Sequence, residues 1–263
     1  MSEHYAELLM YVAPQQVLEA NEQWLARILE RLDVTRRTAD RLDLLSLWRA
    51  PELLLTQTCG YPLMTQLRGQ VQLIGRPRYE LPDSSAGHHC SLLLTRDDNP
   101  RMTLTDFYDS RGVINSEDSN SGMNLLRERL APLHRQGRFF ASVAISGGHR
   151  DSLRWLREGR ADLAAIDSVT FAYLARFAPE EVARLRIVTR SAISPTLPYI
   201  GAQGLSDEYI LRIRQAMNLA LQDLPQVVEI LGVQEVLPAS EADYHVLLDY
   251  RQQAQALGFE RLR

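Results

Sequence analysis

With 263 residues and a net charge of −4, the chain is long enough for two compact lobes or one large α/β domain, and its composition has no basic excess to suit a general nucleic-acid binder. Every basic side chain is arginine, and a chain without lysine can run neither Schiff-base chemistry nor a phosphate-loop lysine. No stretch reaches the roughly 20 apolar residues of a membrane span. Residues 1–7 lack the basic start and apolar core of a secretion signal, so a removed leader and a cytoplasmic chain are both open.

In chain order, residues 8–12 read as a first strand and 13–16 as the loop after it. Residues 19–32 make an amphipathic helix with Leu18, Trp24, Leu25, Ile28, Leu29 and Leu32 on its apolar side. A short helix at 44–48 ends before Pro51, and the buried strand 53–55 then runs into Gln57-Thr58-Cys59-Gly60-Tyr61-Pro62. That loop is polar and sits at the C-terminal end of a strand, where open α/β sheets place their ligands. Gln57 and Thr58 leave the strand end directly. Tyr61 either closes over a ligand or packs under Pro62, and Tyr11 with loop 13–16 is a weaker candidate of the same kind.

Residues 71–74 form another strand, and His88-His89-Cys90-Ser91 leads into the strand 92–94. A second α/β series follows: a strand at 113–114, a helix, a strand at 141–145, a helix carrying Leu153 and Leu156 and stopped by Gly159, and a strand at 163–167 that ends in Asp167. Strands at 185–189 and 199–201 flank Pro195 and Pro198. The remainder reads as helix (207–221, 227–231 and 241–257), a tail expected to pack on the first lobe. Strand and helix alternate through the first two-thirds, so the class is α/β.

The stretch with most chemical content is Asn115-Ser116-Glu117-Asp118-Ser119-Asn120-Ser121-Gly122-Met123-Asn124. Met123, Leu126, Leu130 and Leu133 continue it as a helix with one apolar face. Its start offers Ser119, Asn120 and Ser121 as caps, with Gly122 just inside. The first turn after Ser121 has no acidic side chain to answer the helix dipole. Such a start is either an ordinary capped crossover or an anion cradle of free amides and hydroxyls. Asp167 likewise reads two ways, as a cap for the helix at 169–174 or as a carboxylate that meets a proton-bearing ligand.

Taken together, several segments resemble a known family. Gln57-Thr58-Cys59-Gly60-Tyr61-Pro62-Leu63, the serine-rich segment, Ser146-Gly147-Gly148-His149 with Ser152-Leu153, Gly159-Arg160-Ala161-Asp162-Leu163-Ala164-Ala165-Ile166-Asp167, and Ser194-Pro195-Thr196-Leu197-Pro198 occur in this order. The chain is similar over nearly its whole length to the phosphate/phosphite/phosphonate substrate-binding proteins of ABC transporters, which have the type 2 periplasmic-binding fold. The resemblance implies two α/β lobes, residues 1–89 plus 196–263 and residues 90–195, each a mixed sheet flanked by helices. Two hinge strands, within 90–95 and 187–195, join them, with a ligand cleft between.

The implied ligand set is Ser119, Asn120, Ser121, Gly122, His149, Asp167 and Ser91, with Gln57, Thr58 and Tyr61 from the first lobe. Where family members place a tyrosine before the hinge serine, this chain has His89-Cys90-Ser91. The implied function is capture of a small phosphorus oxyanion for a membrane permease, by a monomer with no cofactor, no metal and no catalytic residue. The family's compartment is the periplasm, where Cys59 and Cys90 would form a disulfide; in the cytoplasm they would be two thiols. The alternatives are a cytoplasmic enzyme of the same fold, of the menaquinone or thiamine-precursor type, with His149 or Asp167 as the reactive group, and a ligand-sensing domain.

Overall fold

The structure is a computed structural model describing residues 3–263. It divides into two compact units, the first running to His88 and resuming over Pro195–Tyr244, the second comprising His89–Ser194 and His245–Arg263. The chain therefore passes between units after His88, after Ser194 and after Tyr244.

The first unit carries a six-stranded sheet in the order Val233–Leu237, Val71–Tyr79, Tyr199–Ala202, Leu53–Gln57, Glu3–Glu7, Thr35–Arg37. Glu3–Glu7 runs parallel to both of its neighbours, while Tyr199–Ala202 is antiparallel to Leu53–Gln57 and to Val71–Tyr79. The middle strand is the apolar run Leu53, Leu54 and Leu55, all fully buried. Burying each of these side chains contributes about 1.5–3 kcal/mol. The helix Gln15–Leu32 covers the sheet with Val17, Trp24, Leu25 and Ile28. Trp24 donates its indole N–H to the Met217 carbonyl at 3.1 Å and meets the Tyr199 ring edge-on at 5.8 Å.

Two expectations for this unit fail. The first strand is Glu3–Glu7 rather than 8–12: Leu9 and Val12 are exposed, so that apolar run is not a buried strand, while Glu7 is buried and pairs with Arg36 of the neighbouring strand segment. The tail is not all helix either. Val233–Leu237 is an edge strand after Gly232, whose φ of 65° turns the chain out of the preceding helix Pro225–Leu231.

The second unit has a five-stranded sheet in the order Leu185–Arg190, Ser91–Arg96, Leu163–Asp167, Arg111–Ile114, Ser142–Ile145. The last three are parallel, and Ser91–Arg96 is antiparallel to both of its neighbours. Leu92, Leu94, Val113, Ala164 and Ile166 from the strands pack with Leu153, Leu156 and Leu174 from the helices into one core. The strands Ser91–Arg96 and Leu185–Arg190 lie in this sheet.

The end of the chain departs from the expected lobe boundary, since residues 245–263 belong to this second unit. Leu247, Ala254 and Phe259 are fully buried. Three backbone carbonyls of the segment also receive side chains of the serine-rich helix and its continuation. Asn124 reaches Leu247 at 3.0 Å, His134 reaches Leu257 at 2.7 Å and Arg127 reaches Glu260 at 3.1 Å. Among the described residues no helix is long and apolar enough to cross a membrane.

Candidate functional site

The topology of the second unit gathers its candidates at one sheet end. Three parallel strands finish at Ile114, Ile145 and Asp167, and the antiparallel strand beginning at Ser91 starts there, with Ser91 opposite Asp167. The loops that carry Ser119–Ser121 and His149 leave from the same ends.

The serine-rich start is wound more widely than an ordinary helix, with the Asn124 amide reaching back to the Ser119 carbonyl at 3.0 Å. Asn120–Asn124 winds as one π-helical turn before the α-helix Leu125–Leu130. Ser119 is the cap: its hydroxyl accepts from the Gly122 amide at 3.0 Å. Ser121 is left for another role, and its Oγ lies 2.9 Å from Nε2 of His149. The Ser91 hydroxyl donates to the Ser121 carbonyl at 2.9 Å. Gly122 is dictated by this crowding, because a Cβ there would collide with the Asn115 side-chain oxygen and come within 3.3 Å of the His149 ring.

His149 opens the helix His149–Arg157 after a braced loop. Ser146 and Gly147 give their amides to Ile114 and Asn115 carbonyls at 2.8 and 3.0 Å, and the Ser146 and Ser152 hydroxyls meet at 2.7 Å. Burial pushes the His149 pKa down, Asp167 works against it and His89 adds to it; the net shift is downward. The imidazole is neutral near pH 7. Its Nδ1 is shut from solvent and has no partner among the described residues.

Asp167 has the helix-capping role: its Oδ1 accepts from the Thr170 amide at 2.9 Å. Its Oδ2 lies 2.9 Å from Nδ1 of His89, at ion-pairing distance but off the line of a hydrogen bond. Burial pushes the Asp167 carboxyl up; His89, His149 and the Thr170 amide outweigh this and hold it below the ordinary carboxylate range. His89 is 2 % exposed, and its Nε2 meets no protein group among the described residues. His89 was not among the expected contacts. The available signal was its spacing: residues 89 and 91 are two apart at a strand start, so they share a face.

In the first unit the strand-end candidates are also buried, but engaged. Gln57 donates from Nε2 to the Leu197 carbonyl at 3.1 Å, and its own carbonyl accepts the Trp48 indole N–H at 3.2 Å. The Thr58 amide donates to the Pro198 carbonyl at 3.1 Å. Tyr61 lies in the turn Gly60–Pro62 and is 6 % exposed. Tyr11 meets Tyr79 edge-on at 6.3 Å, and its carbonyl accepts from Asn21 at 2.9 Å.

The expected disulfide is absent. Cys59 belongs to the first unit, while Cys90 is buried in the second unit's core against Leu92 and Ala164. Among the described residues no group of histidine, cysteine and acidic side chains has a metal-holding arrangement.

The family model described as "ABC transporter, phosphonate, periplasmic substrate-binding protein" matches residues 51–244. The chain belongs to that family. Solved structures agree on the fold. A binding protein component of an ABC phosphonate transporter from Pseudomonas aeruginosa superposes with a TM-score of 0.79 at 14% identity, over 98% of this chain and 88% of that one. XAC2383 from Xanthomonas citri bound to chloride ion gives 0.70 at 15% identity, over 98% of each chain. PhnD1 from Prochlorococcus marinus in complex with methylphosphonate gives 0.69 at 13% identity, over 97% of each. No curated protein matches the sequence itself. Membership carries the type 2 periplasmic-binding fold, a substrate-binding rather than enzymatic role, a small-molecule ligand and a membrane permease as partner.

Proposed function

We propose that the chain delivers a small phosphorus oxyanion (phosphonate, phosphite or phosphate) to an ABC importer, gripping it at the serine-rich helix start of the second unit. The carrying observation is the Ser121–His149 pair, 2.9 Å apart, at a helix start with no acidic side chain in its first turn. In either tautomer this pair keeps one donor hydrogen to spare. It sits on Nδ1 if the serine donates to Nε2, and on Ser121 if Nε2 donates. Backbone amides and the helix dipole favour an anion at the same place.

The grip is built from neutral donors, which suits a carrier that must release its cargo. No arginine ion pair has to be broken before hinge closure and transfer to the permease can proceed. The Asp167 carboxylate behind it repels a fully ionised ligand, so Asp167 with His89 favours oxyanions that carry a hydrogen or an amine. In the first unit the proposal keeps Thr58 and Tyr61 as ligand contacts and gives Gln57 a bracing role.

The test is a thermal-shift panel of methylphosphonate, phosphite and phosphate near pH 7. A ligand present at 100 times its dissociation constant should add about 2.7 kcal/mol of stability. No shift with all three overturns the phosphorus-anion reading.

A further inference from the structure

Behind the serine-rich turn lies a line of buried polar side chains of which only Asn120 belongs to the expected ligand set. Arg127 is 5 % exposed and donates from one terminal nitrogen to Oδ1 of Asn124 at 2.6 Å and from the other to the Glu260 carbonyl at 3.1 Å. No carboxylate pairs with it among the described residues. Asn124, fully buried, donates from Nδ2 to Oδ1 of Asn120 at 3.2 Å and to the Leu247 carbonyl at 3.0 Å. Asn120, the first residue of the π turn, donates from Nδ2 to Oγ of Ser194 at 3.2 Å.

The direction of every link follows from the first. A guanidinium has donors only, so Asn124 must turn its oxygen to Arg127 and its NH2 to Asn120. The Asn120 oxygen is then occupied as an acceptor and its NH2 must go to Ser194. Ser194 receives on oxygen, so its own hydrogen points elsewhere. That hydroxyl is 1 % exposed and its hydrogen has no acceptor among the described residues. An unsatisfied buried donor is costly unless something supplies the acceptor.

We propose that Arg127 is a positioning residue which, through Asn124 and Asn120, aims the Ser194 hydroxyl as a further donor to the bound anion. The proposal rests on the anion-binding reading above for its last link only; the orienting relay stands on the side-chain geometry alone. It also gives the buried C-terminal segment a part in binding, since Leu247 and Glu260 hold the first two members in place.

The decisive variant is Asn124→Asp. It hands Arg127 a carboxylate partner but removes the donor to Asn120 and the one to the Leu247 carbonyl, so its melting temperature is measured beside its affinity. The Asn120 amide then turns its NH2 toward the new carboxylate and its oxygen toward Ser194, drawing the hydroxyl hydrogen inward. Methylphosphonate affinity, read by calorimetry, should fall about tenfold or more in Ser194→Ala, the scale of a hydrogen bond to a charged group, and by a similar factor in Asn124→Asp. The double variant should lose no more than the larger single loss. Unchanged affinity in Ser194→Ala, or additive losses in the double variant with melting temperatures preserved, overturns the proposal.

Side-chain amide NMR reads the relay without ligand. The Asn120 NH2 protons should lie near the Ser194 β-protons in the wild type and near the residue 124 β-protons in Asn124→Asp. The same Asn120 contacts in both proteins overturn the relay. Failure of the wild type to bind methylphosphonate, phosphite and phosphate overturns the anion reading and the donor role of Ser194, while this amide contact still decides the relay.

Discussion

The two units end their sheets in similar residue types, yet they spend their hydrogen bonds differently. At the end of Leu53–Gln57 most polar groups are turned inward, with the buried Thr56 hydroxyl left without a partner among the described residues: Gln57 reaches Leu197, Trp48 reaches Gln57 and Thr58 reaches Pro198. At the end of Leu163–Asp167 and its neighbours, buried polar atoms are left over, namely Nδ1 of His149 and Nε2 of His89. A strand end most of whose donors are consumed serves chiefly as a scaffold. One that keeps unmatched polar atoms beside a helix start is prepared for a ligand that completes them. The contrast supports the proposed grip in the second unit, and it can be broken by substitution.

The largest effect should come from Gly122→Ala. The added methyl runs into the Asn115 side chain and approaches the His149 ring, so the π turn and the Ser121–His149 pair shift together. Stability should drop by about 1–3 kcal/mol on denaturant titration, with the greatest loss of methylphosphonate binding of any single variant. Normal binding in Gly122→Ala would show that this turn is not the grip.

The two serines separate capping from binding. Ser121→Ala should weaken methylphosphonate by roughly 10- to 100-fold with little change in melting temperature, because Ser119 holds the cap. Ser119→Ala should cost about 1 kcal/mol of stability and less affinity. Equal affinity losses would assign the grip to the helix start as a whole. On the other side of the comparison, Gln57→Ala leaves the Leu197 carbonyl unpaired and should cost about 1–3 kcal/mol in the same titration, with affinity changed by no more than about threefold. A larger affinity loss would make Gln57 a ligand contact as well as a brace.

Periodicity made the buried strands and the sheet-end loops legible, because apolar runs such as residues 53–55 and 163–166 admit few other readings. The same rule misplaced the first strand. Residues 8–12 are apolar but bury only Leu8 and Tyr11 while Leu9 and Val12 stay exposed, and the true strand, Glu3–Glu7, hides its buried acid by pairing Glu7 with Arg36. The serine loop and His149 were legible as a motif, whereas the roles of His89, Asn124, Arg127 and Ser194 were not. Their roles depend on partners 74 to 133 positions away in sequence or on a buried cation with no acid beside it, and no local pattern encodes either. The C-terminal segment was misassigned for the same reason. Its helix Glu241–Ala256 reads as an ordinary amphipathic element, and the carbonyls that tie it to Asn124, Arg127 and His134 are invisible in the side-chain sequence.

The smallest expected effect is a slope with pH, and it sharpens the account of the unmatched imidazole. The folded-state pKa of His149 is lowered, chiefly by burial, whereas the unfolded chain titrates near 6.5. Between those two values the unfolded state binds the proton and the folded state does not, so stability falls as pH drops from about 6.5 toward the folded pKa and is fully present above it. Asp167 is also lowered, so its contribution is present above about 3.9 and disappears only as pH falls through its folded value, a separate and more acid window. His149→Gln should therefore flatten the part of the melting-temperature profile between about pH 7 and 5 and leave the acid limb intact. An unchanged slope in that variant would mean that His149 takes up its proton in the folded protein as readily as in the unfolded chain. The spare donor would then belong to an imidazolium, and the grip on the anion would be an ion pair rather than a set of neutral hydrogen bonds.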